Sequence, residues 1–173
     1  LSGGIDSPVA MYLTMKRGIQ VEAIHFASPP YTNDLALKKV IDLTAKVSRY
    51  GGKIKVHVIP FTKLQEALYK EIDPQLMMTV MRRMMYRITE RVAMEAGALI
   101  ISNGESIGQV ASQTLESINV INKVIDMPVV RPVATLDKLE IISLAKKIDT
   151  YELSILPHED CCTIFLPKNP ATK

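Results

Sequence analysis

The run Ser2-Gly3-Gly4-Ile5-Asp6-Ser7 constrains this chain more than any other stretch. Two glycines let a backbone approach phosphate oxygens and adopt torsions barred to other residues. The amides of a helical turn that follows point at the anion, and the helix dipole adds to the attraction. Ser2 and Ser7 supply hydroxyl donors. Asp6 is the odd member, since its charge repels phosphate; a magnesium ion held between the two resolves the conflict. No Gly-Lys-Ser/Thr follows, so this is not a Walker A loop. A phosphate loop normally follows a buried strand, and only Leu1 precedes this one. The first strand is therefore expected upstream of Leu1, and the sequence reads as part of a longer protein.

Beyond the loop, helical and strand patterns alternate. Val9, Ala10, Tyr12, Leu13 and Met15 predict a helix over 8–16, with Pro8 in its first turn and Gly18 ending it. A strand is expected over 20–26. A helix over 34–50 follows from Leu37, Val40, Ile41 and Ala45, closed by Gly51-Gly52. Alternation through Ile54, Val56 and Val58 predicts a strand over 53–59, then a helix to about residue 72. A long helix is expected over 76–96, a strand over 98–101, and a helix opened by Gly104 and running to about residue 118. A short strand over 129–133 and a helix over 138–147 capped by Asp137 complete the series, and the tail reads as irregular. Such alternation predicts an α/β fold: a mostly parallel sheet, Rossmann-like, with helices on both faces. Ligands of such sheets bind at the carboxyl ends of the strands, so the loops at 2–7, 25–30, 103–106 and 132–135 should converge there.

The remaining composition bounds the function classes. The chain has 173 residues, 47% of them hydrophobic, enough for one domain with a sizeable core. A formal charge of +3 permits a polyanionic partner without demanding one. No apolar run approaches a membrane span and no signal-peptide pattern is present, so no membrane partner is expected. The two cysteines, Cys161 and Cys162, are adjacent. They form no disulfide framework and read as reduced thiols of a cytoplasmic protein. With no second Cys or His pair nearby, they lack the spacing of a tetrahedral zinc site, and no resident metal site is expected.

Five motifs carry a resemblance to a known family. Ser-Gly-Gly-x-Asp-Ser resembles the PP-loop ATP pyrophosphatases (the adenine nucleotide alpha hydrolase-like fold), which cleave ATP between the α and β phosphates to form adenylated intermediates. The likeness becomes closer through His25-Phe26-Ala27-Ser28-Pro29-Pro30, Met78-Thr79-Val80-Met81-Arg82-Arg83-Met84-Met85, residues 104–114 and Glu159-Asp160-Cys161-Cys162. In order and spacing these resemble the catalytic domain of the tRNA 4-thiouridine synthetase (ThiI-type) family, over essentially all of residues 1–173. The resemblance implies amino-terminal ferredoxin-like and THUMP domains ahead of this one in the parent protein. In some members a rhodanese-like domain follows.

The resemblance also implies roles. Leu1, Ser2, Gly3, Gly4, Asp6, Ser7, His25, Phe26, Arg82, Gly104 and Gln113 match ATP-binding positions. Cys161 matches the persulfide-bearing catalytic cysteine, and Lys138 a lysine important for activity. A lysine in a helical first turn opposes the dipole, which independently calls for another purpose. Asp6 is the remaining catalytic candidate. Met77, Met81, Met84 and Ile88 form a helical stripe that reads as core packing. Arg83 and Arg87 face elsewhere and could meet RNA phosphates. The chemistry implied is adenylation of a tRNA uridine at O4 with ATP and Mg2+, then replacement of that oxygen by sulfur, giving 4-thiouridine. The implied partners are tRNA, a cysteine desulfurase as sulfur donor, and a second copy in a homodimer. Sulfur delivery for thiamine thiazole synthesis is a further implication. The alternatives are another PP-loop enzyme, either a tRNA 2-thiouridylase or an amidating ligase, and a non-catalytic ATP-binding module.

Overall fold

A computed structural model describes residues 1–110 and 113–157. Cys161 and Cys162 lie outside the described residues. Eleven elements follow in chain order: α1 (Asp6–Met15), β1 (Ala23–Ala27), α2 (Asp34–Ser48), β2 (Val56–Pro60), α3 (Thr62–Glu71), α4 (Met77–Glu95), β3 (Ile101–Ser102), α5 (Leu115–Asn122), β4 (Val129–Val130), α6 (Lys138–Lys147) and α7 (Tyr151–Ser154). β1 pairs with β2 and β3 with β4, both parallel, with Ala23 opposite Val56 and Ile101 opposite Val129. Each pair is joined through helices, as parallel connections require.

The helix α1 is apolar nearly all round, and a helix of that kind belongs inside. Val9, Ala10, Met11, Tyr12 and Met15 are buried together with Val47 of α2, Ala23 of β1, and Val133, Ile141, Ala145 and Ile148. Thr14 bonds its own helix at the Ala10 carbonyl and, at 2.9 Å, the Ser102 hydroxyl, which ties α1 to β3. The α4 helix supplies a second core, with Met77 and Met81 against Phe61. The methionine stripe thus packs as expected, except that Met85 rather than Met84 continues it toward Ile88. The Met84 sulfur instead accepts from Arg87.

Four sequence expectations are corrected. No helix runs from Gly104 to residue 118; helix begins only at Leu115, behind the cap Thr114. Gly108 stands at φ +75° and its amide reaches the Gln113 carbonyl, a turn that α-helical torsions cannot make. The strand expected over 98–101 begins at Ile101, because Ala98 is used to close α4. Its amide donates to the Ala93 carbonyl and that of Gly97 (φ +70°) to Met94, the two bonds of a Schellman closure. The strand expected over 129–133 stops at Val130, since 131–134 turns through an Ala134 to Arg131 bond. Finally, the tail contains the short helix α7, which no sequence signal marked.

Candidate active site

The phosphate loop is organised by its own serines. Ser2 Oγ accepts from the Gly4 amide and Ser7 Oγ from the Ser2 amide, each at 3.3 Å. Gly3 stands at φ +87°, so an L side chain there is strained whatever the space. No described side chain caps α1, which begins at Asp6 behind Ile5. A helix start so placed leaves amide donors available to an anion.

The strand β1, the loop after β3 and the start of α6 meet this loop. The Leu1 carbonyl lies 3.0 Å from Nδ1 of the buried His25, in the middle of β1. Lys138 donates to Asp6 Oδ1 at 2.7 Å across 132 residues of sequence. With its amide turned to satisfy both neighbours, Gln109 spans the same pair, its oxygen 2.7 Å from Lys138 Nζ and its nitrogen 3.3 Å from Asp6 Oδ2. Lys138 opposes the dipole of α6 because Asp6 holds it, while the Asp137–Glu140 capping box secures the helix start.

The place of Gly104 in the fold differs from expectation. It opens no helix. A Cβ on it would fall 2.9 Å from the Asp6 carbonyl carbon, Ser7 Cα and Ser7 N. Glycine lets the loop after β3 lie directly on the first turn of α1. Two further bonds carry that loop on to the turn before Lys138. The Ile107 amide donates to Ala134 at 3.0 Å and Ser106 Oγ to Leu136 at 3.2 Å. The loop therefore sets the distance between Asp6 and Lys138.

Glu105 anchors this loop, a role that no sequence signal marked. Its carboxylate is 3% exposed and accepts from Arg82 of α4, from Arg131 Nε at 2.7 Å, from Asn103 at 2.8 Å and from the Tyr86 hydroxyl at 3.0 Å. Burial pushes the Glu105 carboxyl up, but Arg82, Arg131 and Asn103 outweigh it and hold it below the usual range. Burial, then the neighbouring Glu105 charge, push the Tyr86 hydroxyl well above its ordinary value. Arg82 thus lies in this cluster through its bond to Glu105.

His25 and Phe26 point to opposite sides of β1. The Phe26 ring meets Phe61 edge-on at 5.1 Å. His25 lines a cavity of about 260 Å³ with Ala27, Pro29, Asn33, Leu37 and Val58. Gln113 sits just before the cap of α5, outside the α-helix, and its buried Oε1 has no protein partner among the described residues. No group of three or more potential metal ligands occurs among the described residues. Asp6 alone offers a carboxylate at the loop, and one carboxylate beside substrate phosphates is an ordinary share for Mg2+. No helix among the described residues is long and apolar enough to cross a membrane.

The sequence matches the family model of the thiamine biosynthesis protein (ThiI) over residues 1–173. A crystal structure of a 4-thiouridine synthetase–RNA complex with bound ATP superposes with a TM-score of 0.94 at 45% identity. The match covers 100% of this chain and 45% of that one, so the chain spans less than half of that synthetase. The NMN synthetase from Francisella tularensis gives a TM-score of 0.68 at 17% identity, covering 98% of this chain and 67% of that one, a likeness of fold alone.

Proposed function

The chain belongs to the thiamine biosynthesis protein (ThiI) family, and from that premise we propose that it is the ATP-dependent catalytic part of a tRNA uridine 4-sulfurtransferase. The observation that carries this is the Asp6–Lys138 pair closed over an uncapped helix start at a Ser-Gly-Gly loop. The ATP phosphates occupy that start. Asp6 would hold Mg2+, which would supply charge neutralisation for the departing pyrophosphate. Lys138 exchanges its carboxylate for a phosphate oxygen and stabilises the same charge. The cavity at His25 takes the adenine side of the nucleotide, and the unpartnered Gln113 oxygen accepts from the ligand. Arg82 and Gly104 act by holding the loop that abuts α1.

The reaction balances in three steps. O4 of the uridine, deprotonated at N3, attacks the α-phosphorus; the bond to the bridging oxygen breaks and pyrophosphate leaves. The terminal sulfur of a Cys161 persulfide, loaded by a cysteine desulfurase, attacks C4; the C4–O bond breaks and AMP leaves. A second thiol then cleaves the S–S bond, leaving 4-thiouridine and a disulfide between Cys161 and that thiol, which a dithiol reductant reopens. Adjacent cysteines bridge only with strain, so Cys162 is a poor second thiol. The partners are tRNA, the desulfurase and a second copy of the chain, and the setting is the cytoplasm. Sulfur delivered from the same persulfide for thiazole synthesis needs no adenylation of RNA.

Asp6→Ala tests the nucleotide half. Pyrophosphate release from Mg-ATP with tRNA is expected to fall by about a hundredfold or more, while the far-UV circular dichroism stays that of the wild type. Turnover at the wild-type rate contradicts the assignment.

A further inference from the structure

Lys39 lies on the inner side of α2 and is only 6% exposed. A lysine so buried needs its ammonium hydrogen-bonded. Its Nζ donates to the carbonyls of Ser154 and Leu156, each at 2.8 Å. Ser154 is the last residue of α7, so this cation caps a helix end whose carbonyls lack partners in their own helix. The stem of the same side chain passes Gly3, whose absent Cβ would fall 3.6 Å from Lys39 Cδ and 3.9 Å from Cε. One side chain therefore runs beside the phosphate loop and grips a segment more than a hundred residues away in sequence. A methionine at this position would fill the space beside Gly3 and leave both carbonyls without the donor.

Leu156 precedes Cys161 by five residues, no more than about 18 Å of chain. We propose that Lys39 is a positioning residue that couples the phosphate loop to the segment leading to Cys161, so that adenylation and sulfur attack occur at one place. The proposal depends on the sulfurtransferase reading and adds to it the element that aligns its two halves.

The test is Lys39→Met in the full-length protein, supplied with Mg-ATP, tRNA, cysteine and a cysteine desulfurase. Pyrophosphate and 4-thiouridine are measured in the same reaction. Thiouridine formed per pyrophosphate is expected to fall about tenfold or more, as misplacement of a reacting group does, with pyrophosphate release within about twofold of wild type. Lys39→Arg, which keeps a cation for the carbonyls, is expected to restore the ratio. Amide hydrogen exchange over 151–157 is expected to be faster in Lys39→Met and supplies a reading independent of activity. If Lys39→Met does not fold, Lys39→Gln is read in the same way. An unchanged ratio, or exchange at the wild-type rate, overturns the role of Lys39. Wild-type protein that releases no pyrophosphate would instead contradict the underlying reading, so the two failures are distinct.

Discussion

Asp6 and Lys138 meet in a bond that is easily exchanged. Their side chains are 22% and 43% exposed, and pairs so open to water contribute about 0–1 kcal/mol. Opening the pair to admit a phosphate and a metal thus costs little. Glu105 is the opposite case. Removing one partner of a buried ion cluster leaves the others uncompensated and costs about 3–5 kcal/mol. Glu105→Gln is therefore expected to lower stability by about that amount at neutral pH, measured by urea unfolding. The pH dependence has a definite sign. The folded-state value of Glu105 is held below its model-peptide value of 4.5. Its contribution is fully present above the unfolded value and is lost as pH falls through the lower folded one. The gap between wild type and Glu105→Gln should therefore narrow only on acidification below about pH 4.5; a gap independent of pH down to 3 would show that the charge is not what stabilises.

At the scale of elements, the loop after β3 decides the geometry of the site. Its glycine contacts backbone, which cannot swing aside as a flexible side chain can. Gly104→Ala is expected to cost about 1–3 kcal/mol in stability and to raise the KM for ATP, as α1 and the loop are forced apart. A variant with wild-type thermal midpoint and KM contradicts this close packing. The same loop shows where sequence reasoning reaches its limit. The helix expected over 34–50 was legible from the spacing of Leu37, Val40, Ile41 and Ala45 and the Gly51-Gly52 stop, and that over 138–147 from the cap Asp137. After Gly104, Ile107 and Val110 imitate a helical face, yet both are exposed, because Asn103, Glu105 and Ser106 spend their side chains on tertiary partners. Such bonds override local propensity and leave no periodic trace. For the same reason the phosphate loop and Lys138 could be picked out from motif and dipole, whereas Glu105, Arg131 and Gln109 became visible only through distances.

At the scale of the whole molecule, two parallel strand pairs and the buried α1 bring the phosphate loop, the loop after β3 and the turn before α6 to one place beside β1. That convergence gives a site for a nucleotide. In the proposed mechanism the sulfur chemistry falls to Cys161, beyond the described residues, and is supported by family membership. The two halves are separable. As proposed, adenylation uses the phosphate loop and Lys138 but no thiol, whereas sulfur transfer needs Cys161. The most direct measurement compares the full-length wild-type and Cys161→Ala proteins on unmodified tRNA with Mg-ATP, cysteine and a cysteine desulfurase. AMP or adenylated tRNA is followed beside 4-thiouridine, by mass spectrometry of the digested RNA. The wild type is predicted to yield 4-thiouridine with pyrophosphate release, and Cys161→Ala to consume ATP, retain adenylated uridine and make no thiouridine. Thiouridine formed at the wild-type level by Cys161→Ala, or a wild type that cleaves no ATP in the presence of tRNA, would contradict the account.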